Sequence, residues 1–242
     1  MRPTALFYLY RAVTTVALPF LARSSINRLR RDGISIDRAH ERLGHAGAER
    51  QAGILIWIQA ASEDEVQSVL PLITDMARAY PDATLLITSN TAASAQAMAG
   101  QTTARILHQF SPLEGSGPIN RFLAHWRPDL CVLVHSDLWP NILDHCAQAG
   151  IPVALLDVHL PDASAQGWKR FPATASYVLR GVRLAECRDM ASRNHLRDMG
   201  LEMAQMNSLT RPSSQQARDE ARQALAARLL DLANSHAARA MR

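Results

Sequence analysis

Lysine, cysteine and aromatic residues are all scarce in this chain. Lys169 is the sole lysine, so the 26 basic residues are otherwise all arginine. Arginine favours bidentate contacts to phosphates and carboxylates, although a GC-rich coding sequence produces the same bias without functional meaning. The three cysteines, Cys131, Cys146 and Cys187, are far apart and form no Cys-x-x-Cys pair. Neither a disulfide framework nor a zinc site is suggested, and a reducing compartment is the natural reading. The net charge of +4 comes without a helix-turn-helix pattern, zinc-finger spacing or an aromatic-studded basic strand, so nucleic acid is not an expected partner. Gly-x-Gly-x-x-Gly and Walker A patterns are missing, which excludes a standard dinucleotide or P-loop site. No serine sits in a Gly-x-Ser-x-Gly elbow, so nucleophilic hydrolase chemistry has no support.

What the chain does have is an apolar start and a regular body. Residues 5–22 are mostly apolar, split by Arg11, and the uninterrupted part is about half of the roughly 20 residues a spanning helix needs. Arg23, Arg28, Arg30 and Arg31 follow, and no small-x-small cleavage site marks a signal peptide. Phe7, Tyr8 and Tyr10 with flanking arginines suit a helix lying in the bilayer interface, held on the anionic cytoplasmic side. The competing reading is a helix packed on the protein's own core. The expected organisation is a membrane-associated helix over 1–32, a linker over 33–52, a Rossmann-like domain over 53–205, and a linker with a helical tail over 206–242.

From residue 53 apolar runs alternate with helical patterns. Strands are expected at 54–59, 84–88, 105–109, 130–134, 153–157 and 182–185, with none after Gly200. Helices are expected after the first strand, with Pro71 kinking it, and at 92–98, 118–126, 140–149, 173–179 and 188–199. Strands alternating with helices argue for an α/β fold: one parallel sheet covered on both faces.

Three stretches could carry chemistry. The first strand runs into Ser62-Glu63-Asp64-Glu65. Ser-x-x-Glu is a capping box, in which Ser62 takes the Glu65 N–H and the Glu65 carboxylate reaches back to the Ser62 N–H. The same carboxylate, parked at the carboxyl end of a strand, is a candidate general base. The second stretch is Val134-His-Ser-Asp-Leu-Trp-Pro-Asn141, where a buried strand ends in polar residues and Pro140 starts a helix. The third runs from His159 to Arg170, a basic loop that is either a phosphate site or a solvated face.

These pieces resemble, in order and spacing, the amino-terminal half of 3-deoxy-D-manno-octulosonic acid (Kdo) transferases. The resemblance rests on Glu41-Arg-Leu-Gly44, the Ile-Trp-Ile strand with Ser62 and Glu65-Val66, Pro71-Leu-Ile, Tyr80-Pro-Asp82, Arg121-Phe-Leu, Arg127-Pro, Leu138-Trp-Pro-Asn141, Gly150-Ile-Pro and Ser164…Gly167. It implies the acceptor-side half of a GT-B glycosyltransferase, seated on the cytoplasmic face of the inner membrane. The reaction implied is a metal-independent, inverting transfer of Kdo from CMP-Kdo to a lipid A precursor, without a cofactor. Glu65 falls on the family's general base. Ser62, Ser136, Asp137 and Asn141 are then candidates to line the acceptor cleft, with Arg170 on an acceptor phosphate.

The departures from the family pattern are as informative. Asp64 replaces the glycine before the base and Glu63 precedes it, so two extra acids stand beside Glu65. Gln59 replaces a histidine of the first strand, and Asp157-Val-His159 replaces Asn-Ala-Arg. His135 and Thr210 stand where the family has a glutamate and a lysine that stabilise the transition state. No counterpart of the carboxyl-terminal, glycine-rich donor domain is recognised. The resemblance therefore implies either a truncated or divergent transferase that works with a separate donor-binding chain, or a non-catalytic half that binds lipid A precursor.

Overall fold

The structure is a computed structural model that describes residues 2–134, 138–208 and 214–240. Its centre is a parallel sheet of β1 (Leu55–Gln59), β2 (Thr84–Ser89), β3 (Ile106–Phe110), β4 (Leu130–Val134), β5 (Val153–Val158), β6 (Val182–Cys187) and β7 (Met206–Ser208). The order across the sheet is β3-β2-β1-β4-β5-β6-β7, every pair parallel. This is the Rossmann-like domain expected from the alternating pattern. The helices are α1 (Ala5–Arg31), α2 (Ile36–His40), α3 (Glu63–Ala79), α4 (Ala92–Met98), α5 (Ser116–Trp126), α6 (Pro140–Gln148), α7 (Asp162–Lys169), α8 (Pro172–Leu179), α9 (Met190–Asp198) and α10 (Gln215–Ala240).

Side chains alternate across each strand, so every strand feeds two cores. Leu55, Trp57, Cys131, Leu133, Val153 and Leu155 face α5, α6, α8 and α9. Ile56, Ile58, Leu130, Val132, Ala154 and Leu156 face α3 and α10. Right-handed crossovers explain the division. The steps β1 to β2 to β3 run one way and put α3 and α4 on one face. The step from β3 to β4 crosses back and puts α5 to α9 on the other. The first face would then stand bare over β4 and β5. There α10 closes it, burying Ala226, Leu229, Leu230 and Ala233, with Arg222 bonded to Asp75 of α3 at 2.5 Å.

Three features depart from the sequence expectations. Residues 33–52 are not a bare linker: α2 and a 3-10 turn, Glu41–Leu43, fill them, with Glu41 and Arg42 buried. They seal the outer edge of β3, a strand edge that would otherwise offer its backbone to another chain. Glu41 takes the Phe110 N–H at 2.7 Å, and Arg38 donates to His108 O and to His108 Nδ1. Within 159–170, Asp162–Lys169 form α7 rather than a loop. β7 is a seventh strand where none was expected, and the tail beyond it is part of the second core. As expected, Pro71 lies inside α3.

α1 is packed inside out. Thr4 caps it through the Phe7 N–H, and its inner face carries Phe7, Tyr10, Arg11, Thr14, Leu18, Ser25 and Leu29. Much of that seat is polar: Thr4 bonds Thr174, Tyr10 bonds Glu114, Arg11 bonds Ser116, and Arg42 bonds Ser25. The outer face shows Tyr8, Leu9, Val13, Val16, Phe20 and Leu21 to solvent, with Val16 72% and Phe20 76% exposed. By length and composition α1 is able to cross a membrane, with a mean hydropathy of 1.5.

Two consequences are measurable. Leu229→Ala should lower unfolding stability by about 2–5 kcal/mol in a denaturant titration, as for other fully buried leucines; a change near zero would mean that α10 is not part of the core. Burial, with Arg38 beside it, pulls His108 down from 6.5 to about 3. The unfolded chain therefore takes up a proton below pH 6.5 that the folded chain refuses, and stability falls as pH drops from 6.5 toward about 3. His108→Gln should flatten that part of the stability profile.

Candidate functional site

In an open α/β sheet, ligands bind outside the carboxyl ends of the strands where the strand order reverses. Here the reversal lies between β1 and β4, whose register ends at Gln59↔Leu133. α3 begins just after β1, and α6 shortly after β4. Backbone strain also collects on this edge. Of the three non-glycine residues with positive φ among those described, Trp139 (φ 36°) follows β4 and Asp157 (φ 51°) is the last but one residue of β5. Such conformations cost on the order of 1–3 kcal/mol each and persist where the surroundings enforce them.

The turn after β1 holds Ser62 and Glu65 together. Ser62 caps α3 by accepting the Glu65 N–H at 3.3 Å. The Glu65 carboxylate reaches back as a capping box does, but to the Ala61 N–H at 2.5 Å rather than to that of Ser62. The carboxylate is thus held by its own turn, just beyond the carboxyl end of β1. Glu65 is half-buried, whereas Glu63 and Asp64 are exposed, where water screens their charges. The family's first-strand histidine position, Gln59, is buried and accepts from Thr88 and Ser111, which binds β1 to β2 and to the chain after β3.

Three candidates of the second turn, His135, Ser136 and Asp137, lie outside the described residues, as does Thr210. Asn141, a candidate for the cleft wall on sequence grounds, is fully buried. Its side-chain amide donates to Thr14 Oγ1 at 3.2 Å and to Glu114 O at 3.1 Å, which turns it toward α1. Arg170 is exposed at the carboxyl end of α7 and makes no hydrogen bond or ion pair with Ser62, Glu65 or Asn141. The helix that carries it is clasped to α9 by Lys169–Asp198 at 3.0 Å and His195–Asp162 at 2.8 Å. His159, just before α7, meets Asp189 at 2.9 Å. Asp189 caps α9 through the Ser192 N–H, and that bond, with His159 near, holds its carboxyl at about 2.

One residue central to this edge was not a sequence candidate. Glu114 follows β3, and its Oε1 accepts the N–H groups of Asn141 at 2.8 Å and Ile142 at 3.3 Å. α6 has Trp139 at its N-cap and Pro140 at its first position, so its own sequence supplies no capping side chain. Glu114 does so from another element. Its other oxygen accepts the Tyr10 hydroxyl at 2.7 Å. Burial raises the Glu114 carboxyl above its ordinary range, and burial with the Glu114 charge raises the Tyr10 phenol. The only local signal was an acid in a Ser/Gly-rich loop after a strand; its partners lie 104 and 27 residues away. Among the described residues no cluster of three or more His, Cys, Asp or Glu side chains forms a metal centre.

Residues 37–211 match the family described as 3-Deoxy-D-manno-octulosonic-acid transferase (kdotransferase); α1 precedes the matched span. The protein named "Probable 3-deoxy-D-manno-octulosonic acid transferase, mitochondrial" from Arabidopsis thaliana is 33% identical over 162 residues, covering 67% of this chain and 36% of the relative. A 3-deoxy-D-manno-octulosonic acid transferase of Rickettsia felis is 31% identical over 52% of this chain and 27% of its own length. That of Haemophilus influenzae is 24% identical over 63% and 36%. The chain thus spans between 27% and 36% of these relatives. Among solved structures, a UDP-N-acetylglucosamine 2-epimerase matches 64% of this chain and 47% of its own, at 12% identity and a TM-score of 0.46. The family match runs from α2 to beyond β7, across most of the chain: this protein belongs to the 3-deoxy-D-manno-octulosonic acid (Kdo) transferase family.

Proposed function

We propose that this chain is the acceptor-side half of a Kdo transferase of lipopolysaccharide synthesis, working at the cytoplasmic face of the inner membrane. The observation that carries the reading is the position of Glu65: a carboxylate fixed at the reversal point of the sheet, in a chain whose family match includes that turn. In this reading a hydroxyl of a lipid A precursor enters the crevice beside Glu65. The hydroxyl oxygen attacks the anomeric carbon of Kdo, its proton passes to the Glu65 carboxylate, and CMP leaves with the bonding electron pair. The configuration inverts, and no metal or cofactor takes part. Ser62 holds the first turn of α3, and Ser136, Asp137 and Arg170 remain candidate acceptor contacts. In this reading a donor-binding partner chain positions CMP-Kdo.

A second reading is a non-catalytic half that binds lipid A precursor. The replacement of two transition-state stabilisers by His135 and Thr210 favours it, because each such group contributes about 2.7–4 kcal/mol where it has been measured. α1 serves both readings: its apolar outer face and the arginines at its end suit a helix lying on an anionic bilayer.

One experiment separates these, and a second tests the membrane contact that both share. Glu65→Gln keeps an oxygen for the Ala61 N–H and removes the base. With CMP-Kdo, lipid A precursor and a donor-binding partner chain, it should lower the transfer rate by about 10²–10⁴-fold, the usual contribution of a general base. Transfer that is unchanged by the substitution would rule out Glu65 as base, and precursor binding without any transfer would favour the second reading. For the membrane, the chain should float with anionic vesicles, and Val16→Asp with Phe20→Asp should release it; flotation that survives both charges would place the contact elsewhere.

A further inference from the structure

α1 and the start of α6 are far apart in sequence, yet they share one carboxylate. Glu114 Oε1 holds the N–H groups of Asn141 and Ile142, and Glu114 Oε2 holds the Tyr10 hydroxyl. A second bridge runs alongside: Asn141 Nδ2 donates to Thr14 Oγ1 of α1 and to the Glu114 carbonyl. The backbone closes the gap as well. A Cβ on Gly115 would stand 3.0 Å from the Leu18 side chain of α1, so the helix lies directly on this loop. Arg11 adds a bond to Ser116 at 3.3 Å and approaches the buried Asp144 of α6 at 3.8 Å. On the far side of the same corner stands Trp139, in a left-handed conformation just before Pro140, with no capping side chain of its own.

β4 ends at Val134, and the Leu138–Asn141 corner has its anchor in Glu114. α1 bears on that anchor through Tyr10 and Thr14, while its opposite face is apolar and open. We propose that Glu114 is a positioning residue: it joins the seating of α1 to the geometry of the Leu138–Asn141 corner, so that a surface engaging α1 is felt at the crevice. The link to a bilayer rests on the membrane reading of α1 given above; the joint itself does not.

Amide hydrogen exchange on the full chain tests it. Glu114→Ala should speed exchange at Asn141 and Ile142 by about tenfold or more, as expected for the loss of a charge-assisted acceptor. The deciding variant is Tyr10→Phe, which touches neither amide and keeps the ring packing. If Glu114 is a joint, Tyr10→Phe also speeds exchange at Asn141 and Ile142, and leaves the first turn of α3 unchanged. Exchange at Asn141 and Ile142 that is indifferent to Tyr10→Phe would reduce Glu114 to a local cap and overturn the proposal. In a second arm, vesicles of phosphatidylethanolamine and phosphatidylglycerol are added. Wild type should then slow at these amides by at least about threefold, a change readable as a local opening equilibrium. Tyr10→Phe should float with the vesicles without that slowing. Equal slowing in both proteins, or none in wild type that has bound vesicles, would overturn the coupling. A chain that does not float would refute the membrane reading, while the vesicle-free comparison still decides the joint.

Discussion

The handedness of the crossovers governs this molecule. Because β-α-β connections are right-handed, the chain covers one face of the sheet while it builds β1 to β3 and the other once it returns to β4. That single reversal sets the switch point between β1 and β4, beside which Glu65 stands in the first turn of α3. It also leaves half of one face without a helix, and α10 fills the vacancy with Leu229 and its neighbours. The same return places the loop after β3, with Glu114, against the first turn of α6. The site, the tail and the capping of α6 are three results of one topological constraint.

Local chemistry then fixes the details. Ser62 and Glu65 organise the start of α3 from within their own turn, whereas α6, with Trp139 and Pro140 at its start, borrows Glu114. α1 is held by hydroxyls, a phenol and an arginine as well as by Phe7 and Leu29, and most of its apolar side is left outward. Burying an unpaired carboxylate is costly, so Glu114 depends on Tyr10 of α1 and on the α6 amides, and Asp144 on Tyr177 and Arg180. A helix with this seat belongs to the body of the protein as well as to whatever surface it meets.

Much of the fold was legible because the strands are buried on both faces and read as continuous apolar runs, as in Leu130–Val134. The cap at Ser62 was legible because its partner is three residues away. α7 was not: Pro161, Gly167, Lys169 and Arg170 look like a loop, and its helix carries only one buried side chain, Ala165. β7 was too short and too mixed, Met-Asn-Ser, to show a period. The buried role of Asn141 and the whole of the Glu114 junction depend on Tyr10 and Thr14, more than a hundred residues earlier, and no local pattern encodes that meeting.

The central claim is that the reversal point between β1 and β4 receives the acceptor. Photo-crosslinking with a lipid A precursor that carries a photoreactive group on its sugar, followed by peptide mapping, tests it most directly. The account predicts labels within residues 60–68 and 134–142. Labels confined to the cleft at the β3 edge, lined by Arg38, His108 and Trp126 and distant in sequence from both turns, would contradict it.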